Sequence, residues 1–134
     1  VKTLKKMFPN KNIIEVNHCA LHLDCCLMIL PGEILIYSTR YISNLPKKLQ
    51  KMYNCITIES ILGKKIDPLL ATNGLIIGNN IITTDQVKFS KFRKYLRTLD
   101  FNVIEIEYGT LWREKGGIRC LTQWIKQPKN QLIS

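Results

Sequence analysis

Two short stretches gather the side chains that can do chemistry. Residues 18–26 read "HCALHLDCC" and hold His18, Cys19, His22, Asp24, Cys25 and Cys26; residues 114–122 read "EKGGIRCLT" and set Gly116 and Gly117 ahead of Arg119, Cys120 and Thr122. Imidazole, carboxylate and thiol can bind a metal, move protons or attack an electrophile. His18 and His22 have the spacing of two ligands on one helical face, but the segment leads into a strand and no CxxC accompanies it. No metal and no cofactor is expected on this reading. Two glycines before Cys120 allow a sharply turned backbone that can approach a ligand closely. A thiol there and a histidine elsewhere form the Cys and His arrangement of covalent catalysis, whose geometry the spacing leaves open.

The elements that must position these groups are short. Runs at 12–16 ("NIIEV"), 25–30 ("CCLMIL") and 33–38 ("EILIYS") read as strands, the last two joined as a hairpin through Pro31 and Gly32. "NLPKKLQKMY" carries Leu45, Leu49 and Met52 at helical spacing with Pro46 in the first turn, and "NCITIES" (54–60) reads as another strand. The order returns downstream. "GLIIG" (74–78) and "IITT" (81–84) are strands around "NN". A helix over 84–99 presents Phe89, Phe92, Leu96 and Leu99 with Asp85 near its start, and "FNVIEIEY" (101–108) closes the unit. Two strand, strand, helix, strand units over about 12–60 and 74–108, with a partial third from about 110 at "GGIRCLTQWI", predict an α+β repeat architecture. Within the first unit Cys19, Leu21, Cys25, Cys26 and Met28 read as small or apolar core residues. His22 and Asp24, two apart on a strand, would share one face, as a functional pair or as a satisfied pair in the core.

At 134 residues and 46% hydrophobic content the chain suits a single domain with a core of its own. The longest apolar stretch is interrupted by Pro31, Gly32 and Glu33, so no membrane span is expected. Five cysteines, two of them adjacent, are poor material for a disulfide framework and point to a reducing, cytoplasmic setting. The net charge of +10 would suit an anionic partner. Its lysines and arginines are scattered without interleaved aromatics, however, so nucleic acid is not an expected partner; such a binder would show steep salt dependence. The sequence opens on Val1 without a cleavable leader pattern and reads as part of something longer or as a processed product.

Three ordered motifs, "NHCALHLDCCLMILPGEILIYS", "ATNGLIIGNNIITTD" and "GGIRCLTQ", resemble the C-terminal half of the guanidino-group-modifying enzymes. That pentein superfamily holds amidinotransferases, arginine and agmatine deiminases and dimethylarginine hydrolases. The resemblance covers roughly 12–127 and is nearest to the glycine amidinotransferase branch, with Arg119 as in arginine deiminases. It implies a partial α/β propeller. His22 and Asp24 match the H-x-D motif on a strand before a hairpin, Asn73 the asparagine before a later hairpin, Gly116 and Gly117 the glycines, and Cys120 the nucleophile.

The implied chemistry fits these residue types. A guanidinium carbon is a poor electrophile, so a soft thiolate at Cys120 would form an amidino-thiol intermediate. His22 would protonate the leaving amine, then take a proton from water in a hydrolase or from an acceptor amine in a transferase. Asp24 would pair with the planar guanidinium, with Asn73, Gly116, Gly117 and Arg119 helping to hold an arginine-like substrate; Thr122 adjoins them. Complete members are five-unit propellers of about twice this length, whose first half adds further binding carboxylates. A second chain or a self-associated copy would then supply the missing half, since open edges favour association. Because the same fold serves a ribosome-associated factor, a non-catalytic binding or assembly module is the competing reading. Trp112 and Trp124 flank the cysteine loop and are read as packing residues.

Overall fold

Apolar runs separated by turn residues form two copies of one motif in the computed structural model, which describes residues 2–107, 109 and 116–122. In the first copy β1 (Leu27–Leu30) and β2 (Ile34–Tyr37) pair antiparallel, and after α2 (Lys47–Met52) the chain returns as β3 (Asn54–Thr57), parallel to β2. In the second, β4 (Leu75–Ile77) and β5 (Asn80–Thr84) make the hairpin and β6 (Asn102–Ile106) returns parallel to β5 after α4 (Ser90–Thr98). A parallel neighbour requires a crossover, and the helix supplies it both times. The expected α+β class is thus present as two small three-stranded sheets. α1 (Lys2–Met7) buries no residue, and α3 (Ile58–Leu62) follows β3 directly.

The first hairpin reverses through Pro31, Gly32 and Glu33, where Gly32 (φ 81) and Glu33 (φ 59) both take left-handed backbone. Glycine adopts that conformation without the Cβ clash that penalises other residues. The turn fixes the register Leu30 to Ile34, and period-two alternation then divides the side chains between two faces. Met28, Leu30 and Ile36 join Ile58, Leu62, Ile81, Phe89, Phe92 and Leu96 in the main core. Cys26 and Leu35 point the other way, into a second cluster with Ile42, Leu45 and Leu49. The first sheet is packed against a cluster on each face, although Ile29 stays 43% exposed.

The second sheet is not. Matching the β2/β3 ladder to the β5/β6 ladder sets Leu35 and Cys55 against Ile81 and Val103, and Ile36 and Ile56 against Ile82 and Ile104. Ile81 and Val103 lie in the main core, beside the side chains of α4. The opposite face, equivalent to the one that α3 and α4 cover on the first sheet, leaves Ile77 47% and Ile104 and Ile106 each 41% exposed.

Several sequence expectations need correction. Residues 12–16 form no strand; Ile14 and Val16 pack on the second cluster instead of entering a ladder. The strand at 25–30 begins only at Leu27, because Leu23–Cys25 is a 3-10 turn. The strand expected over 54–60 ends at Thr57, where "IESIL" turns helical and buries Ile58 and Leu62. Met52 is exposed although Leu45 and Leu49 are buried, since Leu45 precedes the six-residue helix and the helix itself buries only Leu49. The helix expected over 84–99 is a 3-10 turn, Val87–Phe89, running into α4; Asp85 caps neither, as no side-chain hydrogen bond closes either start. Cys19 and Leu21 are exposed rather than core. All five cysteines are free thiols. No helix among the described residues is long and apolar enough to cross a membrane.

Two polar clusters fix the ends of the sheets. Arg93, 5% exposed, donates to the carbonyls of Thr84, Asp85 and Gln86 and pairs through Nε with Glu105 at 2.7 Å. Saturating so many donors is what makes burial of a guanidinium tolerable. Glu59 on α3 accepts from the Ser38 hydroxyl at 2.5 Å and from the backbone N–H groups of Thr39 and Arg40 at 3.1 Å. Burial alone would raise the Glu59 pKa, but these hydrogen bonds outweigh it and hold the carboxyl below its ordinary value. A carboxyl lowered on folding adds stability above its unfolded pKa and loses it as the pH falls through the lowered one. Chemical denaturation of Glu59→Gln at neutral pH should therefore show a loss of about 1–2 kcal/mol. The difference from the native chain should shrink in acid, and an unchanged difference there would discount the ionised carboxylate.

Candidate active site

The H-x-D segment does not lie on a strand. His22 is extended (φ -132, ψ 157) and precedes the 3-10 turn Leu23–Cys25, so Asp24 sits inside that turn just ahead of β1. A tight turn nevertheless gathers the groups that alternation on a strand would have aligned. One donor atom each from His22, Asp24 and Cys25 lies within 4.8 Å of the others, with His22 exposed, Asp24 half-buried and Cys25 buried. This nitrogen, oxygen and sulfur set could in principle hold a cation. Burial, with the charges of Asp24 and Cys120 adding to it, raises the Cys25 pKa to about 11. His18, four residues before His22, is exposed, and its Nδ1 lies 3.0 Å from the carbonyl of Ala20.

The turn is held from behind by the segment entering β4. Leu70 donates its backbone N–H to the carbonyl of Cys25 at 3.0 Å, and the Thr72 hydroxyl donates to the carbonyl of Asp24 at 3.1 Å. Leu70 adopts φ 71, costly for a branched side chain, and that bend delivers Thr72 and Asn73 to the site. Asn73 is only 2% exposed.

Its amide is fully engaged. Oδ1 accepts the backbone N–H of Arg119 at 2.9 Å, while Nδ2 lies 3.5 Å from the Cys120 sulfur and 4.0 Å from the Cys25 sulfur. Residues 25 and 120, remote in sequence, are thereby brought to one side chain. Cys120 is exposed on the 3-10 turn Arg119–Leu121, which the described residues show where a third unit was expected to begin. Gly117 passes directly over the amide, and an added Cβ would overlap Asn73 Oδ1, Cγ and Cβ. Here glycine is required by close approach rather than by its dihedrals. Gly116 is half-buried beside it, and the Arg119 side chain is exposed.

The structure thus joins Asp24, Asn73, Gly117 and Cys120 in one neighbourhood, with His22 at its edge and Gly116 and Arg119 on the cysteine turn. Asn73 places its amide against the turn that carries Cys120. Sequence reading placed Cys25 in the core, as its burial bears out, but missed that its sulfur lies between the Asp24 carboxylate, at 3.8 Å, and the Asn73 amide. Its position next to Asp24 was the available signal. An apolar hollow of about 340 Å³ lined by Cys19, Leu21, Cys25, Tyr41, Leu69 and Leu70 opens beside the turn. Trp112 and Trp124 lie outside the described residues.

No protein-family model matches the sequence, and no curated protein matches it. Solved structures do share its fold. SxtG, an amidinotransferase from Microseira wollei in the saxitoxin biosynthetic pathway, superimposes with a TM-score of 0.71 at 18% identity, over 89% of this chain and 36% of SxtG. The N-terminal domain of ArgZ, an arginine dihydrolase from the ornithine-ammonia cycle in cyanobacteria, bound to product, gives a TM-score of 0.73 at 17% identity, over 94% of this chain and 46% of that domain. A variant of that domain covalently bonded to a reaction intermediate gives 0.70 at 16% identity. The chain spans less than half of the length of each of these structures. The resemblance read from the motifs is met at the level of the fold.

Proposed function

We propose that this chain is the cysteine-bearing part of an enzyme that modifies guanidino groups, acting on an arginine-like substrate through a covalent amidino-cysteine. The observation that carries the reading is the buried amide of Asn73, which ties the Cys120 turn to the segment holding His22 and Asp24. A buried asparagine with both ends of its amide committed to a cysteine loop is a costly arrangement for packing alone.

In this reading the Cys120 sulfur, with a donor from Asn73 beside it, attacks the guanidinium carbon. The carbon–sulfur bond forms as the C=N π pair moves onto a guanidine nitrogen; that pair then returns to re-form C=N as the bond from carbon to the leaving nitrogen breaks, and the amine departs with a proton from His22. Asp24 offers the carboxylate that pairs with the planar cation, and its half-burial keeps that attraction stronger than at a fully exposed site. Water or a second amine, deprotonated by His22, then displaces the thiol, giving hydrolysis or transfer. Asn73 and Gly117 position the nucleophile; Gly116 and Arg119 flank it.

The two units stand in this proposal as successive blades of a propeller from the C-terminal half of such an enzyme. The outer face of the second sheet, with Ile77, Ile104 and Ile106, supports that reading, since its equivalent on the first sheet is covered by α3 and α4. A further unit of the same kind, from a second chain or a copy of this one, would cover it and complete the substrate site.

The test is alkylation of the native chain by chloroacetamidine, an amidinium cation with a thiol-reactive carbon, read by intact mass and peptide mapping. One adduct confined to Cys120 and slowed by arginine is expected, although Cys19 is also exposed. Adducts spread over Cys19 and Cys120, indifferent to arginine, would favour a binding module instead. With arginine as substrate, products formed only when an amine acceptor is present would identify a transferase.

A further inference from the structure

We infer that Cys25 is a resolving thiol for Cys120, so that peroxide converts the pair into a reversible disulfide. The two sulfurs face one nitrogen, Asn73 Nδ2, at 4.0 and 3.5 Å. The other three thiols are turned elsewhere. Cys26 lies 3.4 Å from the carbonyl of Leu23 and packs in the second cluster. Cys19 points to the carbonyls of Arg40 and Tyr41, and Cys55 to those of Leu49 and Tyr53. Cys25 is 1% exposed, so the catalytic reading gives it no substrate to touch.

Exposure sets the order of events. Cys120 meets the oxidant first: its thiolate attacks hydrogen peroxide, a sulfur–oxygen bond forms as the oxygen–oxygen bond breaks, and hydroxide leaves to take up a proton as water. The Cys25 sulfur then attacks the sulfenic sulfur; the sulfur–sulfur bond forms, the sulfur–oxygen bond breaks, and hydroxide leaves with the Cys25 proton as water. Two thiols lose two electrons and one peroxide gains them. Burial is the first cause that holds the Cys25 thiol protonated until it attacks. Closing the gap requires the exposed turn at 119–121 to move inward, with loss of its bond to the Asn73 amide. The buried Cys25 need not come out.

The inference rests on thiol geometry and needs no turnover of a guanidine, so its failure is distinguishable from that of the proposed activity. Native chain treated with hydrogen peroxide should lose about 2 Da, and non-reducing peptide maps should join the peptides of Cys25 and Cys120. Dithiothreitol should restore amidine labelling of Cys120. In Cys25→Ser, a near-isosteric change, the linked peptide should fall at least about tenfold while a dimedone-trapped sulfenic acid and higher oxides accumulate at Cys120. Cys19→Ser and Cys26→Ser should leave the link unchanged. A native chain in which Cys120 goes straight to sulfinic acid, or links to Cys19 or Cys26, overturns the inference without recourse to any variant.

Discussion

Cys120→Ser should abolish the chloroacetamidine adduct and any turnover of arginine, a loss on the order of 10⁴-fold or more, typical of removing a covalent nucleophile. The hydroxyl keeps the size of the thiol but is a far weaker nucleophile without a dedicated base, and the guanidinium carbon is a poor electrophile. Asp24→Asn should share the phenotype in reduced form. It preserves the shape of the turn but removes the negative charge that recruits an amidinium, a change of roughly 10- to 100-fold by the usual strength of a charge-assisted hydrogen bond. The neutral alkylating agent iodoacetamide separates the two effects: it should still label Cys120 in Asp24→Asn at close to the native rate. A native adduct that survives in Cys120→Ser would place the reactive thiol elsewhere, and Cys19, exposed at the mouth of the apolar hollow, is the site to map next.

Gly117→Ala should slow amidine labelling and turnover about 100-fold while leaving the sheets intact, because a displacement of about an ångström at a reacting group costs on that order. The new methyl would occupy the space of the Asn73 amide. Asn73 cannot retreat, being 2% exposed with its backbone N–H bonded to the carbonyl of Leu70. The turn must therefore lift, breaking the bond from Arg119 N–H to Oδ1 and moving the sulfur. The stability cost should stay within about 1–3 kcal/mol, the range of a local overpacking, and far-UV circular dichroism should be unchanged. Shrinking the partner in the double variant Asn73→Ala/Gly117→Ala removes Oδ1 and Cγ and leaves only the 2.7 Å approach of Cβ, so it should recover part of the lost thermal stability but not the labelling rate, since the amide that held the turn is gone. If Gly117→Ala labels like the native chain, the turn is not set by this contact and the positioning role of Asn73 falls.

The parts of the fold legible in the sequence were those governed by local rules. Pro31 and Gly32 between two β-branched runs announced the hairpin that the backbone of Gly32 and Glu33 makes. Phe89, Phe92 and Leu96 at helical spacing announced the buried face of the 3-10 turn and of α4 behind it. The failures occurred where tertiary packing overrides a weak local preference. "NIIEV" has strand composition but finds no ladder, and "IES" after β3 reads as extended yet turns helical to bury Ile58 and Leu62. The H-x-D pair reads as a strand but lies at a 3-10 turn, since a turn of three residues leaves no periodic signature.

By itself, the sequence determined which residue types are on offer, an imidazole, a carboxylate and a thiol in an order that resembles a known superfamily, together with the repeated order of strands and helices. Only the tertiary structure decided what those residues are to one another. It put the Asn73 amide under the cysteine turn, turned Gly117 from a flexible residue into one required by contact, and set the Cys25 sulfur against the same amide as Cys120. The reason is physical. Residue type and spacing encode interactions within a turn or a strand, whereas Asn73, Cys25 and Cys120 meet only because two hairpins and a returning loop pack around a shared core. No local periodicity records a distance created by that packing.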